Sequence, residues 1–319
     1  MPVSQRSATI AERLGYDLIL LGRTGFRRAW TAPLVYPLLA VRMVVALLGR
    51  RPGAAVVAVP PFIAPLVGLP VFRLMRTSFA VDVHSGALLD RRWRWSIGIL
   101  AAISRRAVVA LVTLPSLEEP LRARGVETLV LPDPLPHLVE AHADAATDAP
   151  TDRDAGVRPL VVAICGWGLD EPIEALVESA RDRPWRLVLT GRPRREIDCP
   201  LNVTLTGFLD APGYGSLLAD ADAIVVLTDR EDTLLSGAWE AISLGRPLVL
   251  SGTQALRATF GDGLTYVDND AASIAAGIGA VLAAPDAART ATAALRTRFA
   301  RENDAALGRL AERLNERRP

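Results

Sequence analysis

Short apolar runs alternate with longer stretches of helical periodicity along most of the chain. The runs in the first half are DLILLG (17–22), AAVVAV (54–59), SFAVDV (78–83), VVALVT (108–113) and TLVLPD (128–133). Those in the second half are PLVVAIC (159–165), WRLVLTG (185–191), NVTLTGF (202–208), AIVVLT (223–228), PLVLSG (247–252) and LTYVD (264–268). Because the runs are mostly apolar and are separated by helices, they are typical of parallel strands buried on both faces of a sheet.

This alternation predicts the α/β fold class, with two Rossmann-like domains whose parallel sheets face a cleft. An Ala-, Asp- and Thr-rich stretch between the two halves lacks apolar periodicity and is typical of a flexible linker. We therefore expect an N-terminal domain over 1–136, a linker over 137–157, a C-terminal domain over 158–300 and a C-terminal helix over 301–319. The last helical run can break at Asn303 and cross back to the first domain.

Composition narrows the possible functions. The chain has 319 residues, half of them apolar, and a net charge of +1, which favours an enzyme-sized globular protein over disorder or general nucleic-acid binding. It contains no lysine, so lysine Schiff-base chemistry is excluded and a phosphate must be bound by arginine or backbone N–H groups. Cys165 and Cys199 suit neither a disulfide scaffold nor a metal site, as expected in a reducing cytoplasm.

Two acidic residues, Asp232 and Glu240, bracket a Ser- and Gly-containing turn between an apolar run and a helix. The backbone N–H groups of Ser236, Gly237 and Ala238 would begin that helix, and its positive end would bind a phosphate. A carboxylate one turn further on could bind sugar hydroxyls, so we expect a nucleotide sugar as ligand. The alternative is that both acids merely stabilise the end of the helix by its dipole.

The segment 221–268 resembles the donor-binding module of GT-B glycosyltransferases, especially the family 4 type. The matching elements are an acidic-x7-acidic motif, an Ala-rich helix, a Gly-x-Pro turn and a Ser after the next strand: Asp232, Glu240, Ala241, Gly245, Pro247 and Ser251. The resemblance implies that Glu240 binds the ribose of the donor, that Asp232 lies near the transferred sugar, and that the N–H groups around Ser236 bind the diphosphate, with Thr233 also in the donor site. Because Glu231 directly precedes Asp232, the register can slip by one.

His84 follows the strand-like run SFAVDV and therefore belongs at the carboxyl end of a strand. It resembles the histidine of the first-domain loop of GT-B enzymes, which lies against the donor sugar or the acceptor hydroxyl. It could act as a base if Asp82 or Asp90 orients its imidazole. A purely structural histidine is the alternative.

The donor phosphates have several candidate ligands. Arg192 follows a strand end and Arg230 precedes the acidic motif, so either could bind the diphosphate. The loop CGWGLDEP departs from the family, which often places Arg and Lys there: Gly166 permits close backbone approach, whereas Asp170 and Glu171 carry the wrong charge. The resemblance implies no metal and no cofactor beyond the nucleotide-diphosphate-sugar co-substrate.

The N-terminal part differs from the family in a second way. GT-B enzymes open with a strand and a Gly-rich loop, but this sequence opens with a helical pattern, so the opening strand is missing or the true start lies upstream. No signal peptide is expected, and Pro37 and Arg42 interrupt the most apolar stretch, so we predict no transmembrane helix. The apolar arm 27–51 has arginines at both ends and either rests on a membrane surface or packs as an ordinary helix.

Together these features predict a GT-B glycosyltransferase that moves a sugar from a nucleotide-diphosphate donor to a hydroxyl of a glycan or polyprenyl- or lipid-linked acceptor. We expect it in the cytoplasm, in contact with the inner face of the membrane, and without nucleic acid as a partner. Two alternatives stay open: a nucleotide-sugar epimerase of GT-B fold, and a catalytically degenerate homologue that partners an active transferase.

Overall fold

A computed structural model describes residues 5–21, 32–136 and 158–316. Contacts divide the chain into two compact units: residues Met1–Pro134 with Ala300–Pro319, here called unit 1, and Leu135–Phe299, here called unit 2. The linker predicted over 137–157 lies outside the described residues. The residues from Ala300 onward group with the N-terminal part of the chain, so the last helix contributes to both units.

Unit 1 contains a parallel sheet, and its strands follow one another in space as they do along the chain. They are β1 (Ala54–Val59), β2 (Ser78–Val83), β3 (Ala110–Val112) and β4 (Thr128–Val130). Four of the five predicted runs in this half are therefore strands. The fifth prediction, for DLILLG, was wrong in the residues described: 17–21 are not a strand, and together with residues of β1 they line a cavity of about 650 Å³.

Helices cover both faces of the unit 1 sheet. They are α1 (Gln5–Leu14), α2 (Ala32–Arg50), α3 (Ile63–Met75), α4 (Ser85–Leu89), α5 (Arg91–Arg94), α6 (Ile97–Ser104) and α7 (Glu119–Arg122). Met43 and Leu47 of α2 pack with Phe72 of α3 on one side. On the other side, Ile10 of α1 packs with β2, β3 and the end of the last helix.

All six apolar runs of the second half form the parallel sheet of unit 2. These strands are β5 (Leu160–Ala163), β6 (Arg186–Leu189), β7 (Val203–Leu205), β8 (Ala223–Val226), β9 (Leu248–Ser251) and β10 (Thr265–Val267). Their spatial order is β10-β9-β8-β5-β6-β7, so the chain reverses its direction of travel across the sheet between β5 and β8. In open α/β sheets, the carboxyl ends of the strands at such a reversal form a ligand crevice.

The helices of unit 2 lie between and after these strands. They are α8 (Ile173–Ser179), α9 (Ala211–Asp220), α10 (Ser236–Leu244), α11 (Gln254–Phe260), α12 (Ala271–Ala283) and the first part of α13 (Pro285–Glu316). The predicted break at Asn303 was wrong, because α13 is continuous there. The Asn303 side chain is buried and donates from Nδ2 to the Asp133 carbonyl at 3.3 Å, so its amide does not compete with the helix backbone.

Among the described residues, no single helix is long and apolar enough to cross a membrane. The helices α12 and α13 pass that test as a pair by length and composition, with a bend of 95° between them. Ile274 and Ile278 of α12 are fully buried in the unit 2 core.

Two glycines that pair just after β6 and β7 allow the same substitution to be compared at two positions. Gly191 and Gly207 pair with each other and both have positive φ, at 82° and 68°. A Cβ on Gly191 would lie 2.4 Å from the Cys165 carbonyl oxygen, whereas one on Gly207 would meet nothing within 4 Å. Gly207→Ala should therefore lower the free energy of unfolding by about 1–2 kcal/mol, the cost of a left-handed residue. Gly191→Ala should cost at least about 3 kcal/mol, because backbone atoms must also move. Urea unfolding measures both, and equal losses would contradict the clash.

Candidate functional site

The predicted donor-site residues of unit 2 lie along the carboxyl edge of its sheet. Gly166 follows β5, Arg192 follows β6, and the segment from Arg230 to Thr233 follows β8. Helix α10, which begins at Ser236, also starts at this edge. Since β5 and β8 are the strands at the reversal, their two loops flank the position where a ligand crevice is expected.

Glu240 lies in the second turn of α10 and is half-buried. The hydroxyl of Tyr214, on the neighbouring helix α9, donates a hydrogen bond to Glu240 Oε2. Burial raises the pKa of the Glu240 carboxyl, and the hydrogen bond from Tyr214 opposes that rise. Tyr214 thus fixes the orientation of the carboxylate, a role that the sequence did not indicate because nothing in its spacing relates α9 to α10.

The two acidic residues before α10 have different environments. The Glu231 carboxylate accepts the N–H of Gln254 at 2.9 Å, and the Glu231 carbonyl accepts that of Ala255 at 3.3 Å. Glu231 therefore caps the start of α11. Both residues are exposed, but among the described residues only the Glu231 carboxylate has a hydrogen-bond partner, so Asp232 is the carboxylate of this pair that is available to a ligand.

The start of α10 offers fewer free N–H groups than predicted. The N–H of Ala238 donates to the Leu235 carbonyl at 3.1 Å, so the expectation that it faces a phosphate was wrong. The N–H groups of Ser236 and Gly237 come first in the helix and have no preceding helical carbonyl to bind. Gly237 is also required for packing, because a Cβ there would lie 2.9 Å from Ile164 Cγ2.

The loop after β5 is closed by its own carboxylates. Glu171 accepts the N–H of Gly166 at 2.9 Å and that of Trp167 at 3.0 Å, so the Gly166 N–H already has an acceptor. Asp170 Oδ2 accepts the Thr228 hydroxyl at 2.9 Å and lies 3.6 Å from Arg230 Nε. These contacts tie the loops after β5 and β8 together.

The remaining predicted residues divide between exposed and structural positions. Arg192 is exposed, and within the described part of the chain it has no ion-pair partner; Thr233 is half-buried. Ser251 is buried, accepts the Thr228 N–H at 2.9 Å and donates to Asn269 Oδ1 at 2.7 Å. Ser251 thus joins the ends of β8, β9 and β10 and supports the edge rather than offering its hydroxyl to a ligand.

His84 of unit 1 follows β2 and directly precedes the first residue of α4. Its Nε2 lies 3.3 Å from Asp82 Oδ2, so Asp82 orients the imidazole, as the sequence suggested. When Nε2 donates to Asp82, Nδ1 keeps the lone pair that a general base needs. About a third of the His84 side chain is exposed, whereas Asp82 is buried.

Asp82 has a second partner that the sequence did not reveal. Arg6, in the first turn of α1, donates to the Asp82 carboxylate from Nε and Nη2 at 2.9–3.1 Å. Its Nη1 reaches the Leu131 carbonyl at 3.0 Å and Asp133 Oδ1 at 2.9 Å. Burial would raise the pKa of Asp82, but the charge of Arg6 and the hydrogen bonds from His84 and Arg6 outweigh it and lower that pKa to about 2. Asp82 is thus an ionised carboxylate held in place beside His84.

The described residues contain no group of three or more His, Cys, Asp or Glu side chains that could hold a metal ion. Burial raises the pKa of the Cys165 thiol, as expected of an unreactive core cysteine.

No family model matches the sequence. A comparison with curated proteins also gave no match.

Solved structures with similar folds are numerous. Sucrose-phosphate synthase from Thermosynechococcus elongatus superposes with a TM-score of 0.65 at 18% identity, over 94% of this chain and 82% of the other. Anabaena HepE, in complex with UDP and glucose, gives a TM-score of 0.63 at 12% identity, over 97% and 88%. A putative UDP-N-acetylglucosamine 2-epimerase from Listeria monocytogenes gives 0.56 at 12% identity, over 90% and 80%. The expected fold class is confirmed: the chain has the α/β fold with two parallel sheets that GT-B glycosyltransferases share.

Proposed function

We propose that this protein is a glycosyltransferase that uses a nucleotide-diphosphate-sugar donor, bound at the carboxyl edge of the unit 2 sheet. The observation that carries the proposal is the Tyr214–Glu240 pair at the start of α10, beside the reversal between β5 and β8. A half-buried carboxylate held by a single hydroxyl keeps oxygen lone pairs for further donors, and vicinal hydroxyls of a ribose supply them. The complex of HepE with UDP and glucose, in a protein of similar fold, is consistent with this ligand class.

Each proposed role follows from the position of its group. Glu240 accepts hydrogen bonds from the ribose, and the N–H groups of Ser236 and Gly237, at the positive end of α10, bind the diphosphate. Asp232 lies near the transferred sugar, while Arg192 and Arg230 stabilise the charge that develops on the leaving diphosphate. We retain the family 4 type for this donor module because its motif elements follow in order from Asp232 to Ser251.

In unit 1 we propose His84 as the group that accepts a proton from the acceptor hydroxyl, with Asp82 as its orienting partner. The Asp82 carboxylate is ionised and ion-paired with Arg6, so it stabilises the charge on His84 without taking its proton. No metal or cofactor is needed for this step.

The acceptor is proposed to be a glycan or a polyprenyl- or lipid-linked molecule at the inner face of the membrane. Leu38, Val41, Val45 and Leu48 of α2 are all exposed, by 46–63%. Their spacing of three, four and three residues places them on one side of the helix. Arg50 and Arg51 at its end are exposed and can contact anionic headgroups.

Calorimetric titration with UDP, UDP-glucose and the GDP equivalents tests the donor site. We expect saturable binding of at least one uridine or guanosine diphosphate compound, at the micromolar to millimolar level common for substrates. Absence of binding across the panel would contradict the proposal and favour a degenerate homologue, an alternative consistent with the internal contact between Glu171 and Gly166.

The epimerase alternative is suggested by the similarity to the Listeria protein. NMR of the sugar nucleotide, incubated with the protein in the absence of an acceptor, distinguishes an epimerase from a transferase. A transferase should leave the donor unchanged apart from slow hydrolysis, whereas an epimerase would convert it to a second sugar nucleotide.

A further inference from the structure

Positive charge is concentrated in the part of the sequence that forms the unit 1 sheet. Residues 18–117 contain thirteen arginines but only two acidic residues, Asp82 and Asp90, although the whole chain has a net charge of +1. Asp82 is already paired with Arg6. Unit 1 therefore carries an excess of positive charge, and such an asymmetry between parts of a chain is typical of a surface that binds anions.

Six of these arginines lie at the amino edge of the sheet, opposite the edge that carries His84. The stretches that lead into β1, β2 and β3 contribute two each, and all six are exposed: Arg50, Arg51, Arg73, Arg76, Arg105 and Arg106. Because these strands are parallel and adjacent, the stretches meet at one edge. Within the part of the chain that the structure describes, none of the six has an ion-pair partner.

Three of the six arginines line a cavity of about 380 Å³ between the end of α3 and the stretches before β2 and β3. They are Arg73, Arg76 and Arg106. The apolar part of the wall consists of Leu69, Phe72, Phe79 and Val108. A cavity of this volume, with an apolar wall and a few charged groups, has the character of a small-molecule site.

The other polar groups of the cavity differ in how far they are satisfied. The Thr77 hydroxyl donates to the Pro52 carbonyl at 2.7 Å. Arg106 Nη1 donates to the Ala102 carbonyl at 2.6 Å, which uses one N–H group of its guanidinium. Ser78 also lines the cavity, is 5% exposed, and has a hydroxyl without a hydrogen-bond partner among the described residues. A buried hydroxyl of this kind calls for a partner from outside those residues.

The backbone of Arg76 has a conformation that favours glycine. Arg76 ends α3 with φ of 54° and ψ of 33°, and Arg51 after α2 likewise has φ of 47°. Glycine is the usual residue at such a left-handed helix end, because a side chain there costs free energy. A positive charge near the end of a helix recovers only part of that cost. Stability of the helix ends therefore does not account for arginine at these positions, and residues held in this way are often found at binding sites.

The three guanidinium groups select the class of ligand. Each has a fixed positive charge and presents paired N–H donors that match the oxygens of a phosphate. Positive charges around one cavity repel one another unless an anion lies between them. A phosphate monoester, with close to two negative charges at neutral pH, offsets more of this repulsion than a carboxylate does.

We propose that this cavity binds the phosphate group of a phosphate monoester through Arg73, Arg76 and Arg106. The inference is independent of the proposed donor site and of His84, because it uses no residue of unit 2 and lies at the other edge of the unit 1 sheet. A soluble phosphate monoester and the headgroup of phosphatidic acid share this chemistry. Leu74, which is 78% exposed next to Arg73, makes the lipid source worth a separate arm of the experiment.

Calorimetric titration of the full chain with phenyl phosphate at low salt tests the site. The cavity variant carries three substitutions together: Arg73→Gln, Arg76→Gln and Arg106→Gln. The matched control has the same change in charge at exposed arginines that do not line the cavity: Arg94→Gln, Arg301→Gln and Arg309→Gln. We expect saturable binding to the wild type and to the control, and an affinity at least about tenfold weaker in the cavity variant, because charge-assisted hydrogen bonds are lost.

Sedimentation with vesicles distinguishes the two sources of the phosphate. Phosphatidylcholine vesicles that contain phosphatidic acid at about one part in five are compared with phosphatidylcholine alone. Binding to the acidic vesicles that the cavity variant loses and the control retains assigns the site to a headgroup. Binding of phenyl phosphate without binding of vesicles assigns it to a soluble compound.

Equal affinities of the cavity variant and the control would overturn the proposal, because general electrostatic attraction or another site would then explain the binding. A wild-type chain that binds neither phenyl phosphate nor the acidic vesicles would overturn it as well. If the cavity variant does not fold, Arg76→Gly replaces it, since glycine adopts the left-handed conformation at the end of α3. Its affinity for phenyl phosphate should be at least about fivefold weaker than that of the wild type, and an unchanged affinity overturns the proposal.

Discussion

Replacing Arg6 with alanine is expected to lower the free energy of unfolding by about 3–5 kcal/mol, the usual result of removing one partner of a buried ion pair. Arg6 and Asp82 are 5% and 2% exposed, so the Asp82 charge would stay buried with only His84 beside it. The Leu131 carbonyl would lose its donor as well. Urea unfolding of the full chain measures the change, with the same dependence of the free energy on urea concentration used for both proteins.

The matched control is Arg13→Ala in the same helix. Arg13 pairs with Asp304 at the surface, with exposures of 43% and 58%, and such pairs contribute about 1 kcal/mol or less. Arg6→Lys should fall between the two, because it keeps the charge but loses the two-pronged contact with the carboxylate. A loss below about 1 kcal/mol for Arg6→Ala would contradict the pairing.

The acid side of the stability profile gives a second readout for Arg6. Asp82 has a folded pKa of about 2 against an ordinary value of 3.8. A carboxylate with a lowered pKa contributes stability that is fully present above pH 3.8 and is lost as the pH falls through about 2. Without Arg6, burial raises the folded pKa of Asp82 back towards or above the ordinary value, so the fall in stability between pH 3.8 and about 2 should be smaller in Arg6→Ala than in the wild type. A purely packing role of the arginine would leave that fall unchanged.

Replacing Glu240 with alanine is expected to weaken binding of the nucleotide-sugar donor by about 10- to 100-fold. Hydrogen bonds to a charged group contribute about 1.5–3 kcal/mol, and 1.4 kcal/mol corresponds to a factor of ten in affinity. Activity should fall together with affinity, because the ribose contact is made in the ground state and in the transition state alike. Calorimetry with the donor identified for the wild-type protein measures the change.

The expected loss of affinity in Glu240→Ala should not result from unfolding of the variant. Burial raises the pKa of Glu240, so stability from its protonated form is fully present at low pH and lost as the pH rises through the folded pKa. At neutral pH, removing the carboxylate should therefore cost little stability.

Glu174→Ala on α8 is the matched control. Glu174 is 63% exposed and pairs with Arg195, so its loss should leave the affinity for the donor within about twofold of the wild-type value. Wild-type affinity in Glu240→Ala would contradict the donor site.

Much of the fold could be predicted from the sequence because its information is local. The six apolar runs of the second half are each bounded by turn residues and helices, and each became a strand of one parallel sheet. The acidic motif was also local: a strand, a turn and a helix, all between Ala223 and Leu244, fix where Asp232 and the start of α10 must lie. His84 and Asp82 are two residues apart at the end of one strand, so their proximity followed from the strand itself.

Contacts between distant segments required the tertiary structure. Arg6 and Asp82 are 76 positions apart, and Tyr214 and Glu240 are 26 apart on different helices, so no spacing rule relates them. The N–H of Ala238 was expected to face a phosphate, but the Leu235 carbonyl accepts it, and the N–H of Gly166, where close backbone approach was expected, donates to Glu171. The run DLILLG has the composition of a strand, but among the described residues no strand pairs with it, and backbone pairing, not composition, makes a strand. Sequence by itself therefore determined the elements and the edge at which chemistry can occur. Only the tertiary structure decided which side chains hold the site residues in place, because those contacts depend on how separate elements pack.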